Sequence, residues 1–158
     1  MAKPKSAGII FFAGDRVLFT KRDSLAPEGG TWDFPGGGME PGETPKEAAR
    51  RETLEEVGFD YDGPLLKVKK MSNGYVAYAA MLDEEFTPVL NDEHTDYVWA
   101  TFDELPEPLH PVTRKELREL EGMPLLAKDR QDSISKAISA VRNVALMFER
   151  MAVRTKDF

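Results

Sequence analysis

A chain of 158 residues with 41% hydrophobic side chains supplies material for one ordinary core and leaves little room for a second full domain. The absence of cysteine excludes disulfides, thiolate metal sites and cysteine nucleophiles, so any metal must be held by oxygen or histidine. The 28 acidic and 21 basic residues give a formal charge of −7, which argues against long nucleic acid as a partner and requires a local cation or metal to receive a phosphorylated ligand.

No run approaches the ~18 uninterrupted apolar residues of a membrane span, and Met1 to Lys5 leads straight into a strand-like segment, so a cytoplasmic protein without a membrane partner is expected. Ser6 to Ala13 is continuously apolar around Ile9, Ile10, Phe11 and Phe12; Gly14 and Asp15 supply a turn, and Val17, Leu18 and Phe19 resume a second buried strand. Residues 23–31 form a loop, and Trp32 to Pro35 is a short extended piece entering Gly36, Gly37 and Gly38. A helix is predicted from about Pro45 to Val57: Thr44 caps it, Pro45 suits its first position, Glu47 completes a capping box, and Gly58 suits a left-handed end. Strands follow over Pro64 to Met71 and Tyr75 to Leu82, split by a turn at Ser72-Asn73-Gly74, and over Tyr97 to Phe102; Pro111 to Leu120 reads as a helix. From about Ser133 to Val153, Ile134, Ile138, Val141, Ala145, Phe148 and Ala152 recur at helical spacing. A second apolar row there, Val144, Met147 and Met151, must be covered by the domain or by a symmetry mate, and a homodimer is expected.

The helix over 45–57 carries the chemistry. Glu52 and Glu56 lie one turn apart and Glu55 shares their face, while Leu54 and Val57 are expected to point toward a core. Like charges on one helix face cost a few tenths of a kcal/mol per pair when exposed and more when solvent is excluded, and a divalent cation reverses that sign. Oxygen-only ligands select magnesium, manganese or calcium, and magnesium is the ion that bridges a few carboxylates to substrate phosphates. The ordinary reading of such a run is a solvated Glu/Arg helix.

The spacing of Gly37, Glu43, Arg51, Glu52, Glu55, Glu56 and Gly58 is more specific than that: the stretch from Gly37 to Phe59 resembles the signature of the Nudix hydrolases, G-x5-E-x7-R-E-U-x-E-E-x-G-U. Seven fixed positions at about one in fifteen each make a chance match of order one in a million. Thr53 stands where the pattern has an aliphatic, a place a β-branched residue can fill. Trp32 to Gly37 and Trp99 to Leu105 resemble flanking segments of the same family, with Trp32 and Trp99 expected in the core.

The resemblance implies an α/β fold, an α/β/α sandwich around a mixed β-sheet, here a single domain over 1–158 with a core at about 6–125 and a C-terminal helical extension at about 130–154. It implies that Glu52 and Glu56 bind magnesium, with manganese as a substitute, that Glu55 and Glu43 complete the cluster, that the Gly36 carbonyl adds a ligand, and that Arg51 orients Glu52. The metal would neutralise diphosphate oxygens and acidify a water whose proton a carboxylate takes. Glu52 is the first candidate for that base and Glu93, on the loop before Trp99, the second; an acidic surface loop is the alternative for Glu93. Arg22 would contact a substrate phosphate, Phe34 would line a base pocket, and Tyr75 falls where dinucleoside-polyphosphate hydrolases of the family tend to have a tyrosine. His94 and His110 lack ligand spacing. The implied reaction is hydrolysis of a nucleoside diphosphate derivative, foremost a (d)NTP or modified (d)NTP to NMP and pyrophosphate; dinucleoside polyphosphate or ADP-ribose hydrolysis and a non-catalytic nucleotide-sensing module are the alternatives. Action on RNA 5′ ends requires a basic track that the overall charge does not suggest.

Overall fold

The computed structural model describes residues 3–70 and 73–121. The helix expected over Ser133 to Val153, and the apolar row on which the homodimer rests, lie outside the described residues.

β1 (Ser6–Ala13) and β2 (Arg16–Arg22) form the expected hairpin, turned at Gly14, whose φ of +61° suits glycine. β3 (Trp32–Asp33) pairs with β2, and β4 (Gly36–Gly38) pairs with the first residues of β1. β5 (Leu66–Lys70) and β6 (Tyr75–Leu82) follow the helix α1 (Pro45–Val57), then come β7 (His94–Ala100) and α2 (Pro111–Glu121). The strands make one sheet ordered β3-β2-β1-β6-β5, with β4 also on β1 and β7 along β2. β1 and β6 run parallel and the other pairs antiparallel, so the sheet is mixed.

Alternation along β1 separates two cores. Ala7, Ile9, Phe11 and Ala13 pack with Ala48, Ala49 and Val57 of α1, whereas Ile10 packs with Phe19, Phe34, Leu109 and Leu117 of α2. The sheet is therefore covered by one helix on each face, the sandwich expected. Phe11 anchors the α1 side by edge contacts with Phe59, Tyr61 and Phe86 at 5.5–5.7 Å, each contributing about 0.5–1.5 kcal/mol beyond area burial.

The ends of α1 follow from its sequence. Thr44 accepts from the Glu47 N–H at 3.3 Å while the Glu47 carboxylate accepts from the Thr44 N–H at 2.7 Å, and Gly58, at φ +65°, donates to the Leu54 carbonyl at 3.0 Å. Its buried stripe differs from expectation. Leu54 is 48% exposed, while Ala48, Ala49, Thr53, Glu56 and Val57 face the sheet. Small residues at 48 and 49 let the helix lie close to β1, and Thr53 satisfies its hydroxyl on the Ala49 carbonyl at 2.8 Å, so the buried arc is centred nearer Glu56 than Leu54. β7 starts at His94 because Arg22 of β2 pairs there, extending the ladder before Tyr97. Trp99 is buried as expected, but Trp32 is only half-buried, with the Lys21 ammonium 5.7 Å from its ring centroid.

Candidate active site

The site is assembled where α1 passes the glycine strand β4. Gly36 lies against Gly8 of β1, close enough that a Cβ on Gly36 would come within 2.5 Å of the Gly8 Cα. The Ile9 N–H goes to the Pro35 carbonyl at 3.0 Å, whereas the Gly36 N–H turns away from β1 and donates to the Glu56 carboxylate at 2.8 Å. Gly37 gives room to the neighbouring acid, since a Cβ there would meet the Glu52 carboxylate at 2.5 Å. Three glycines thus let backbone and two carboxylates share one small space.

Arg51 organises the outer half. Its guanidinium donates to both Glu43 oxygens at 2.7 and 3.0 Å, to Glu52 at 2.9 Å, to Glu55 at 3.1 Å and to the Gly38 carbonyl at 2.7 Å. The expected pairing of Arg51 with Glu52 is present, but as one arm of a wider clamp. Glu43 first, and Glu52 after it, raise the Arg51 pKa, and the bond to Arg51 lowers that of Glu43. Glu52 shows the opposite balance: burial raises its pKa although Arg51 pulls it down. Glu56, 3% exposed, is pushed well up by burial, against the Gly36 hydrogen bond and with the help of Asp33, Glu52 and Glu93. Glu52, Glu56 and Glu93 therefore lie within one electrostatic neighbourhood, and Glu55 is the exposed member of the helix set.

Glu93 is held there by backbone contacts. Its carbonyl accepts from the Asp23 N–H at 2.8 Å and its N–H donates to the Asn91 side chain at 3.1 Å, which leaves the carboxylate exposed at the rim. Arg22 does not point freely at the site: it donates to Asp33 at 3.0 Å and to the Pro27 carbonyl at 2.8 Å. Phe34 is 4% exposed and stacks at a tilt on Phe19 at 5.0 Å, within the α2-side core. Tyr75 lies beneath the glycines, its hydroxyl beside Gly8, and burial with the charges of Glu116, Asp33 and Glu56 raises its pKa.

Asp33 joins the site although no motif marks it. It is 9% exposed, accepts from Thr20 at 3.0 Å and Arg22 at 3.0 Å, and stands 3.6 Å from the buried His94 ring. It thereby ties the ends of β2, β3 and β7 around the acidic cluster. Its signal was an acid inside an otherwise apolar extended piece. Glu116, 5% exposed on α2, is a second such signal on the buried side of a helix.

Among the described residues no three acidic or histidine side chains are grouped so that they could hold a metal ion, and the Arg51 guanidinium pairs with Glu43, Glu52 and Glu55. The donor chemistry nevertheless fits a hard divalent cation. A buried Glu56 carboxylate faced by Asp33, Glu52 and Glu93 is an excess of negative charge that such an ion would offset, and every donor is oxygen. The groups expected from the sequence to hold such an ion are Glu43, Glu52, Glu55, Glu56 and the Gly36 carbonyl.

Comparison with known proteins decides the family. The NUDIX domain model matches residues 2–120. The chain belongs to the Nudix hydrolase family. An RNA pyrophosphohydrolase of Rickettsia bellii is 28% identical over 136 residues, covering 72% of this chain and 83% of that protein. An 8-oxo-dGTP diphosphatase of Proteus vulgaris is 42% identical over 55 residues, covering 35% of this chain and 49% of the relative. The crystal structure of RenU, a Nudix hydrolase of M. smegmatis, superposes with a TM-score of 0.63 at 27% identity, covering 80% of this chain and 91% of that one. The protein is thus a Nudix pyrophosphohydrolase acting on nucleoside diphosphate derivatives, a class that generally uses a divalent metal.

Proposed function

We propose that the protein hydrolyses the 5′-triphosphate of a (d)NTP or modified (d)NTP to a nucleoside monophosphate and pyrophosphate, with magnesium as the metal and manganese as a substitute. The observation that carries this reading is the buried Glu56 carboxylate, held by the Gly36 N–H at 2.8 Å and faced by three other acids at the glycine strand. Magnesium bound there supplies charge neutralisation at the phosphate oxygens and acidifies water. The chain's own contribution is positional. Arg51 keeps Glu52 and Glu55 pointed at the same space, and Gly37 lets Glu52 approach the strand. A water oxygen bonds to one phosphorus as the bridging P–O bond breaks, its electrons leaving with the displaced phosphoryl oxygen. The water's proton passes to Glu52, with Glu93 at the rim as the other acceptor. Burial favours a proton on Glu52, which suits it to that role. Arg22, paired with Asp33, would exchange that contact for a substrate phosphate.

A second reading, the same triphosphate carried on an RNA 5′ end, is favoured by the R. bellii relative, which spans most of both chains. A homodimer is proposed on the apolar row of residues 144–151, and light scattering showing a monomer at tens of micromolar would exclude it. The substrate assignment is tested by a panel of nucleotides with magnesium, identifying both products. NMP and pyrophosphate from a triphosphate are expected. Nucleoside diphosphate with orthophosphate, or exclusive turnover of ADP-ribose or dinucleoside polyphosphates, would replace the assignment.

A further inference from the structure

β7 opens on a histidine that is buried between two exposed neighbours. The side chain of His94 is 1% exposed, whereas Glu93 before it and Thr95 after it face solvent. The pairing with β2 shifts there: Arg22 stands opposite His94 and Lys21 opposite Asp96, so Thr95 is an extra residue on β7. Such a bulge bends the strand and re-aims the side chains that flank it. The ring makes one hydrogen bond. Asn91 Oδ1 accepts from the Glu93 N–H at 3.1 Å, which settles which end of that amide is oxygen. His94 Nδ1 lies 3.4 Å from the same oxygen and so carries its hydrogen toward it.

The other nitrogen, Nε2, is 3.6 Å from Asp33 Oδ1, beyond hydrogen-bond reach, and Asp33 already accepts from Thr20 and Arg22. Satisfying Asp33 does not require the ring, and filling the space would need only an apolar one. What an apolar ring lacks is the donor to Asn91. Asn91 is the hub of the loop before β7: its N–H donates to the main-chain carbonyl of Glu56 at 3.3 Å and its carbonyl accepts from the His94 N–H at 3.3 Å. The loop is thereby seated on the last turn of α1, and the amide oxygen shared by Glu93 and His94 sets how the chain passes through residue 93. Glu93 is near enough to Glu52 and Glu56 to raise the pKa of both.

We propose that His94 is a positioning residue for Glu93: the Nδ1–H of its buried ring holds the Asn91 amide, and Asn91 holds the main chain of Glu93 so that its carboxylate meets the site at Glu52 and Glu56. The inference rests on the reading above in which Glu93 takes the proton of the attacking water, and it names the side chain that sets the reach of that carboxylate. Misplacing an acid–base group by about 1 Å costs on the order of a hundredfold in rate. Loss of the ring donor therefore lowers kcat, while the groups that hold the triphosphate, and with them KM, are left in place.

The test combines turnover of dGTP with magnesium and the exchange rate of the Glu93 amide proton, read by NMR on the full-length protein. His94→Phe keeps a ring and removes the donor; His94→Asn places an amide N–H near the position of Nδ1, and His94→Gln places one near Nε2. His94→Phe should lower kcat at least about tenfold with KM within about twofold. It should also speed Glu93 amide exchange at least about fivefold. His94→Asn should restore both quantities and His94→Gln neither. In a Glu93→Gln background His94→Phe should cost no further rate, because the two residues act as one unit. An equal loss of kcat in both backgrounds, or Glu93 exchange unchanged by the substitutions, would overturn the proposal; His94→Gln decides where His94→Phe does not fold. If Glu93→Gln turns over dGTP like the wild type, or no protein cleaves dGTP, while His94→Gln still speeds Glu93 exchange and His94→Asn does not, the reading of the reaction fails and the placement of Glu93 by His94 stands.

Discussion

Replacing Glu56 by glutamine separates the catalytic cost of the acidic cluster from its structural cost. The carboxylate is 3% exposed and accepts one backbone hydrogen bond, which the glutamine carbonyl can still accept. What disappears is a buried negative charge facing Asp33, Glu52 and Glu93. Desolvation of such a charge costs up to several kcal/mol, and part of it is already avoided by protonation, so a gain of about 1–2 kcal/mol for the metal-free protein at neutral pH is expected. For a domain of this size that corresponds to a rise of roughly 2–8 °C in Tm. The pH dependence has a defined sign. Because the folded-state pKa of Glu56 lies above its unfolded value of about 4.5, folding is favoured by the bound proton. Its contribution is complete below pH ~4.5 and is lost as pH rises through the raised folded value. Wild-type Tm should therefore fall with pH across that window, and the Glu56→Gln variant should show a flatter profile. Turnover should drop at least about a hundredfold, equivalent to about 2.7 kcal/mol of transition-state stabilisation, and the rise in Tm on adding magnesium should shrink. Differential scanning fluorimetry across pH, with and without magnesium, and steady-state kinetics measure these effects. Near wild-type turnover with an unchanged magnesium response would show that Glu56 is not part of the metal site.

Arg51→Ala should lower metal-free stability by about 1–3 kcal/mol, because Glu52 and Glu43 lose their common partner while part of the loss is screened by solvent; Arg51→Lys should recover only part of the stability, lacking the fork that reaches three acids, and denaturant melts decide this. Gly37→Ala should cut kcat at least about tenfold while changing stability by less than about 1 kcal/mol, since its methyl displaces the flexible end of Glu52 and leaves the core untouched, and kinetics with a melt separate the two. Thr44→Ala should cost about 1 kcal/mol through loss of the reciprocal cap of α1, with activity in proportion to folded protein.

The helix that carries the chemistry was legible because its ends are encoded locally: a capping threonine, a proline at the first position and a left-handed glycine need no tertiary partner to act. The hairpin of β1 and β2 and the placement of β6 were legible for a similar reason, since apolar runs bounded by glycine turns leave few alternatives. The buried arc of α1 was not. Leu54 looks apolar enough for the core, but Ala48, Ala49 and Thr53 offer a closer approach to β1, and the closer packing prevails. Asp33 was hidden because its partners, Thr20 and Arg22 on β2 and His94 on β7, reach it only when β2, β3 and β7 pair. The breadth of the Arg51 clamp was hidden likewise, since Glu43 and the Gly38 carbonyl reach it across the loop before the helix.

Metal-dependent hydrolysis at the acidic cluster beside Gly36 requires that the oxygen of water end on phosphorus. Turnover of a nucleoside triphosphate in ¹⁸O-labelled water with magnesium, followed by mass analysis of both products, tests it most directly. One labelled oxygen on a phosphate-bearing product, none on ribose or base, and no turnover once the metal is chelated are expected; label in a ribose C–O bond, or undiminished hydrolysis in chelator, would rule out metal-dependent attack at phosphorus.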